Sequence, residues 1–347
     1  MTYWQTELDA LRDLSARIGA DPLLTQAAGG NTSLKAGDTL WIKASGTWLA
    51  HARDREIMVP VSMTPLVEAV RAFDPRADRA QEFVLAELNP SGLRPSIETT
   101  VHALLPHRVV VHVHCVDTIA IAVRTDCEEL LRERLAGINW ALVPYARPGL
   151  PLALAIDAKL GGKPDVLVLA NHGLVVGADT VAEAEALLSE VKSRLATKPR
   201  PTPAFNPAEL EKLATGADYR LPLDPVAHAV ALDQTATGIA RGGSLYPDHV
   251  IFLGRGTVIA NPEENAEQAV SRLGSPPISI VFPGKGVLMR SDATESADAM
   301  ARCLADVTLR IPTGASIRYL SDEDHGQLTN WDAEKYRQRL DRAASAA

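Results

Sequence analysis

Two histidines flank a single valine in the apolar run Arg108-Val109-Val110-Val111-His112-Val113-His114-Cys115. A β-strand repeats every two residues, so His112 and His114 share one face while Val111 and Val113 take the other. Two imidazoles at adjacent same-face positions suit chelation of one transition metal. A third histidine, His172, follows a second apolar run that ends at Ala170-Asn171. Three neutral nitrogen donors with a fourth position open form a catalytic zinc pattern rather than a structural one. Taken singly, each ring reads equally well as a hydrogen-bonded core histidine.

The elements that must hold these rings can be read around them. Trp4, Leu8, Leu11, Leu14 and Ile18 recur at helical spacing and predict an amphipathic opening helix. A small-residue loop, Ala28-Gly29-Gly30-Asn31, leads into a hairpin with Ala36-Gly37-Asp38 at its tip. Ser96 is the expected N-cap of a helix carrying Val101, Leu104 and Leu105. The two-histidine strand follows almost at once. Further helices are expected at 127–135 and 181–195, with strands at 140–145, 166–170 and 174–177.

Spaced prolines in Lys198-Pro199-Arg200-Pro201-Thr202-Pro203 predict an extended linker. Beyond it the pattern reads as helix at 208–215, strands at 226–232, 249–253, 278–282 and 287–290, and helix at 294–310. The expected organisation is a catalytic domain over 1–197, a linker over 198–207 and a small α/β domain over 208–347. The first domain mixes hairpins with helices. It therefore reads as an α/β or α+β layered sandwich with a mainly antiparallel central sheet.

Bulk properties narrow the function classes. A net charge of -8 over 347 residues argues against a general nucleic-acid binder. Three cysteines, Cys115, Cys127 and Cys303, fit neither a disulfide framework nor a Cys-x-x-Cys metal site. Met1–Glu7 lacks the features of a signal peptide, and no apolar run approaches the ~18 residues of a membrane span. The expectation is a cytoplasmic protein with no membrane partner. Lys35 and Lys43 read as solvated strand-end lysines, and His102, one turn after Glu98, as a structural hydrogen-bonding residue.

The order of motifs resembles the class II aldolase/adducin family over about residues 1–197. It runs Gly30-Asn31-Thr32-Ser33, then Ala44-Ser45-Gly46, then Glu98 at a helix start, then His112-Val113-His114, then Asn171-His172-Gly173. Arg94-Pro95-Ser96-Ile97-Glu98-Thr99, Val143-Pro144-Tyr145 and Pro247-Asp248-His249-Val250-Ile251 are similar to the aldolase portion of bacterial bifunctional rhamnulose-phosphate aldolase/alcohol dehydrogenase proteins. Gly254-Arg255-Gly256 and Gly284-Lys285-Gly286 lack the full dinucleotide fingerprint, so no nicotinamide site is expected.

The resemblance implies a three-layer αβα sandwich, and Zn2+ or another divalent transition metal on His112, His114 and His172, with Glu98 as general acid/base. It implies that Asn31, Ser45, Gly46 and Ser96 hold a substrate phosphate, and makes Tyr145 a weak further candidate. Relatives often carry two serines before the glutamate, whereas this chain has Ser96-Ile97. The implied activity is cleavage or formation of a C–C bond in a small ketose phosphate or hydroxy-keto acid through a metal-stabilised enediolate. A metal-dependent decarboxylase or a sugar-phosphate 4-epimerase would use nearly the same parts. A non-catalytic adducin-like interaction domain is the alternative of another class. Family members are commonly homo-oligomers, often tetramers.

Overall fold

The computed structural model describes residues 3–345; Met1 and Thr2, the start of the stretch read for a leader, lie outside the described residues. Contacts divide the chain into two compact units. One is Met1–Ala122 with Glu128–Ala196, the other Val123–Cys127 with Thr197–Ala347. No helix among the described residues is long and apolar enough to cross a membrane. All three cysteines are buried, and no disulfide joins them among the described residues.

The first unit opens with α1 (Tyr3–Ala20), whose apolar stripe is buried as its periodicity requires. The hairpin of β1 (Asn31–Ala36) and β2 (Thr39–Lys43) closes with Ala36 opposite Thr39. Then come β3 (Met58–Ser62), α2 (Met63–Arg71), α3 (Thr99–Leu104), β4 (Val109–Val113), α4 (Val116–Ala122) and α5 (Cys127–Arg134). The unit is completed by β5 (Trp140–Val143), α6 (Leu150–Asp157), β6 (Val166–Leu169), β7 (Gly173–Ala178) and α7 (Val181–Leu195). A capping box between Thr180 and Glu183 starts α7 where the sequence places it.

The seven strands lie in the order β3-β2-β1-β4-β7-β6-β5. Every pairing is antiparallel except β5 with β6. Helices α2, α3 and α6 cover one face, where Leu66, Val101, Leu104 and Ile156 join Ile42, Val110 and Val175 in a buried core. Helices α1, α4 and α7 pack on the other face. This is the expected three-layer αβα sandwich with a mainly antiparallel sheet. Each fully buried Leu, Ile or Val contributes about 1.5–3 kcal/mol relative to exposure, so the two apolar faces hold the layers together. The chemistry sits on β4, a central strand with every residue buried.

The second unit contains α8 (Pro207–Ala214), β8 (Tyr219–Arg220), α9 (Ala229–Leu232), α10 (Gln234–Gly242), α11 (Pro247–Leu253) and α12 (Ala266–Leu273). It continues with β9 (Ser279–Phe282), β10 (Gly286–Arg290), α13 (Glu295–Arg310), α14 (Asp322–Thr329) and α15 (Asp332–Ser345). Its sheet has the order β8-β10-β9, and Leu210, Ile280, Phe282 and Leu288 form its core. The proline-rich segment is extended and tied to this unit, with Arg200 Nη2 2.8 Å from Asp233.

Two expected strands are helical. At 226–232 the chain forms a 3-10 turn and α9, because the Asp224 side chain accepts the Val226 amide and Pro225 occupies the first turn. At 249–253 it forms α11, with Pro247 at the helix start. Short apolar runs carry no period that separates strand from buried helix, and the proline start signals decide.

Candidate metal centre

The sheet register brings the rings together. In β4, His112 lies opposite Asn31 of β1 and Val175 of β7. Its Nδ1 is 3.0 Å from the carbonyl of Leu174. A carbonyl only accepts, so Nδ1 carries the proton and Nε2 presents a lone pair. His114 follows the strand, and its Nε2 is 3.2 Å from Nε2 of His112. A Cβ at Gly29 would stand 2.7 Å from His114 Nδ1, so a side chain there would displace the ring.

His172 lies in the tight β6–β7 connection, where Leu169 pairs with Gly173. Asn171 takes a left-handed conformation (φ 54°) to make this turn. A Cβ at Gly173 would come within 2.5 Å of the Val113 carbonyl, so only glycine lets the turn press against β4. The ring centroid separations are 5.0 Å for His112–His114, 5.0 Å for His112–His172 and 5.3 Å for His114–His172. One nitrogen from each of these buried rings falls within 4.8 Å of the others.

Glu98 completes the cluster. It occupies the N-cap position of α3, which corrects the expectation for Ser96: the Ser96 hydroxyl, two residues before that N-cap, instead accepts the Glu98 amide at 3.2 Å. Glu98 Oε2 lies 3.3 Å from His112 Nε2, and Oε1 lies 3.4 Å from His172 Nε2. Burial pushes this carboxyl up, but the surrounding imidazoles of His112, His172, His114 and His102 outweigh it and hold the group at about 2.

The donor set fits one divalent ion. Metal–nitrogen bonds of about 2.0–2.1 Å at tetrahedral angles put neighbouring donors about 3.3 Å apart. The 3.2 Å between the Nε2 atoms of His112 and His114 matches that spacing, and the His172 ring offers a third nitrogen within 4.8 Å of the other two.

The residues expected to hold an anion flank the carboxylate. Asn31 Nδ2 donates to Glu98 Oε2 at 2.7 Å. Ser45 is 8% exposed, and its buried hydroxyl has no hydrogen-bond partner among the described residues. Gly46 turns the chain at φ 74°. The Ser96 amide donates to the Lys43 carbonyl at 3.0 Å, and Ala44 bridges Pro95, which draws the two loops together. Tyr145 is half-buried, two residues past the sheet-edge strand β5.

Three features escaped the sequence reading. Lys43 is 1% exposed rather than solvated, and its ammonium donates to the Ala28 carbonyl at 2.9 Å. Lys35 donates to the Leu105 carbonyl, and burial pushes its ammonium down to about 8. The Asn31–Glu98 contact needed the strand register, although period-two alternation does place Asn31 and Ser33 on one face. His102 bonds as expected, with Nδ1 2.8 Å from the Ser33 hydroxyl. Burial pushes that ring down to about 3. His249 is buried in α11 of the second unit, with Nε2 3.4 Å from the Thr257 hydroxyl.

The model of the class II aldolase and adducin N-terminal domain matches residues 13–197. A Bacillus subtilis (strain 168) protein named uncharacterized oxidoreductase YuxG is 29% identical over a 177-residue alignment that covers 47% of this chain and 25% of that protein. The chain thus spans about a quarter of the length of that curated relative. Among solved structures, the N-terminal class II aldolase domain of a conserved Thermoplasma acidophilum protein is 28% identical with a TM-score of 0.48, covering 56% of this chain and 94% of that one. The L-fuculose-1-phosphate aldolase of Thermus thermophilus is 18% identical with a TM-score of 0.37, covering 54% of this chain and 92% of that one. With the family model spanning more than half its length, the chain belongs to the class II aldolase and adducin family.

Proposed function

We propose that this protein is a metal-dependent aldolase-type lyase of the cytoplasm, acting on a small hydroxy-keto substrate, with a ketose phosphate as the first candidate. Catalysis is assigned to residues 1–197; the domain at 208–347 is given no chemical step. The observation that carries the reading is the convergence of His112, His114 and His172 beside a buried carboxylate, with Glu98 3.3 and 3.4 Å from two of the rings.

The three imidazoles are assigned to a divalent ion, zinc by the all-nitrogen donor set. When bound, that ion supplies Lewis acidity to carbonyl and hydroxyl oxygens and stabilises the negative charge left by C–C cleavage. Glu98, held near 2, is ionised at neutral pH, so in the cleavage direction it accepts the hydroxyl proton and returns it to carbon. The bond from His112 Nδ1 to Leu174 keeps the ring tautomer and orientation fixed. Ser45, Gly46 and Ser96 receive the anionic group through hydroxyl and backbone donors. Burial of Glu98 to 5% exposure keeps bulk water from the proton in transit. The working form is taken to be a homo-oligomer, a tetramer by family precedent, with Tyr145 ranked as a lesser proton donor.

Zinc-loaded protein tested against ketose phosphates, plain ketoses and keto-acids decides the matter. Release of an aldehyde with its carbonyl co-product is expected. Carbon dioxide evolution would replace the lyase assignment with decarboxylation, and substrate interconversion without cleavage with epimerisation. Failure to take up any metal on titration would leave a non-catalytic interaction domain.

A further inference from the structure

Asn31 gives its amide to the carboxylate of Glu98, whose own backbone N–H is held by the Ser96 hydroxyl. The β1–β4 register sets it opposite His112, on the catalytic side. The β1–β2 ladder ends where Ser33 pairs with Ile42, and Ser45 follows two residues after the end of β2. Its Nδ2 donates to Glu98 Oε2 at 2.7 Å, and the two residues are only 4% and 5% exposed. An ionised carboxylate accepts and never donates, which fixes the orientation of the amide. Charge-assisted bonds of this length in a dry site are strong.

The opposite flank is unfinished. The Ser45 hydroxyl is buried without a partner, an arrangement that is unfavourable unless a ligand completes it. The Ser96 hydroxyl accepts the Glu98 amide, which leaves its proton to donate. An anion seated on these hydroxyls is negative like Glu98 and competes with it for the Asn31 amide.

We propose that Asn31 couples substrate recognition to proton transfer: its amide clamps Glu98 in the ligand-free site, and the anionic group of the substrate draws it away and frees the carboxylate to move. The inference rests on the roles given above to Glu98 and to the Ser45–Ser96 pocket. It makes Asn31 a positioning residue whose partner changes during turnover. By linkage, anion binding and the clamp oppose each other to the same degree in both directions.

A double-mutant cycle on the zinc-loaded full chain tests this, with inorganic phosphate as the probe and affinity read by calorimetry. Removing Glu98 releases the clamp, so Glu98→Ala should tighten phosphate binding by about tenfold. Part of that gain is simple loss of repulsion. The same change made in the Asn31→Ala background reports that part alone, and the gain there should fall to a few-fold at most. Equal gains in both backgrounds overturn the coupling, as does failure of the wild type to bind phosphate at millimolar concentration.

Thermal melting checks that each variant folds. Asn31→Ser replaces Asn31→Ala should the latter not fold, and the same two outcomes apply. A second readout is turnover. Free phosphate should raise the rate on an unphosphorylated ketose in the wild type and leave it unchanged in Asn31→Ala; stimulation of both to the same extent also sinks the proposal. A protein that shows the binding cycle but cleaves no ketose loses the lyase assignment alone and keeps the coupling.

Discussion

Burial by itself would push the Glu98 carboxyl up, yet the imidazoles of His112, His172, His114 and His102 surround it and hold it at about 2. Charge and ligation can therefore be separated by substitution. Glu98→Gln keeps the shape and removes the charge. It is expected to retain stoichiometric metal, measured by atomic emission, while turnover falls about 10²–10⁴-fold. His114→Ala is expected to lose metal and turnover together; full activity in Glu98→Gln would remove that residue from the mechanism.

Lys35 offers a test of burial without catalysis. Its ammonium is pushed down from 10.5 to about 8, so between those values the unfolded chain binds more protons than the folded one. Stability contributed by this group therefore rises with pH across that window, and below pH 8 the cost of the buried charge is present in full. Denaturant melts of wild type and Lys35→Met should show the wild type gaining on the variant from pH 8 to 10.5. A constant difference would mean that the lysine keeps its ordinary proton affinity.

Elements decide where these residues can meet, and Gly173 is where one turn meets one strand. Any side chain there presses on the Val113 carbonyl, placed 2.5 Å from a Cβ, and that carbonyl belongs to the strand carrying His112. Gly173→Ala is expected to cost about 1–3 kcal/mol by overpacking and to weaken metal binding, because His172 and β4 must separate. Thermal melting and competitive zinc titration check this; a variant with wild-type affinity would show that the turn can shift without moving the ring.

The same elements show what could be read beforehand. The His-x-His pair was legible because a strand alternates strictly, and α7 because its cap and apolar period agree. The Asn31–Glu98 bond joins β1 to the start of α3 across 67 residues, and no local pattern carries such a pairing. Burial of Lys43 was equally invisible, since it depends on the Ala28 loop folding back over the end of β2. In the second unit, apolar runs of five to seven residues lacked a period, and α9 and α11 were mistaken for strands although Pro225 and Pro247 marked helix starts.

At the scale of the whole molecule, acid has a target in the second unit. His249 is fully buried in α11, and burial, reinforced by nearby His325, pushes its ring down from 6.5 to about 4. The unfolded ring takes a proton at about 6.5, whereas the folded ring refuses it until about 4. Between those values the unfolded chain binds more protons, so stability falls as pH drops through the window. One such ring withdraws up to about 3 kcal/mol by pH 4, a large part of the margin of an ordinary domain. The prediction is read as a difference between the two proteins. Urea unfolding at pH 7, 5.5 and 4, followed by tryptophan fluorescence, should show the wild type losing stability faster than His249→Gln. Parallel losses in the two proteins would place acid sensitivity elsewhere and show that the α11 ring is protonated without cost.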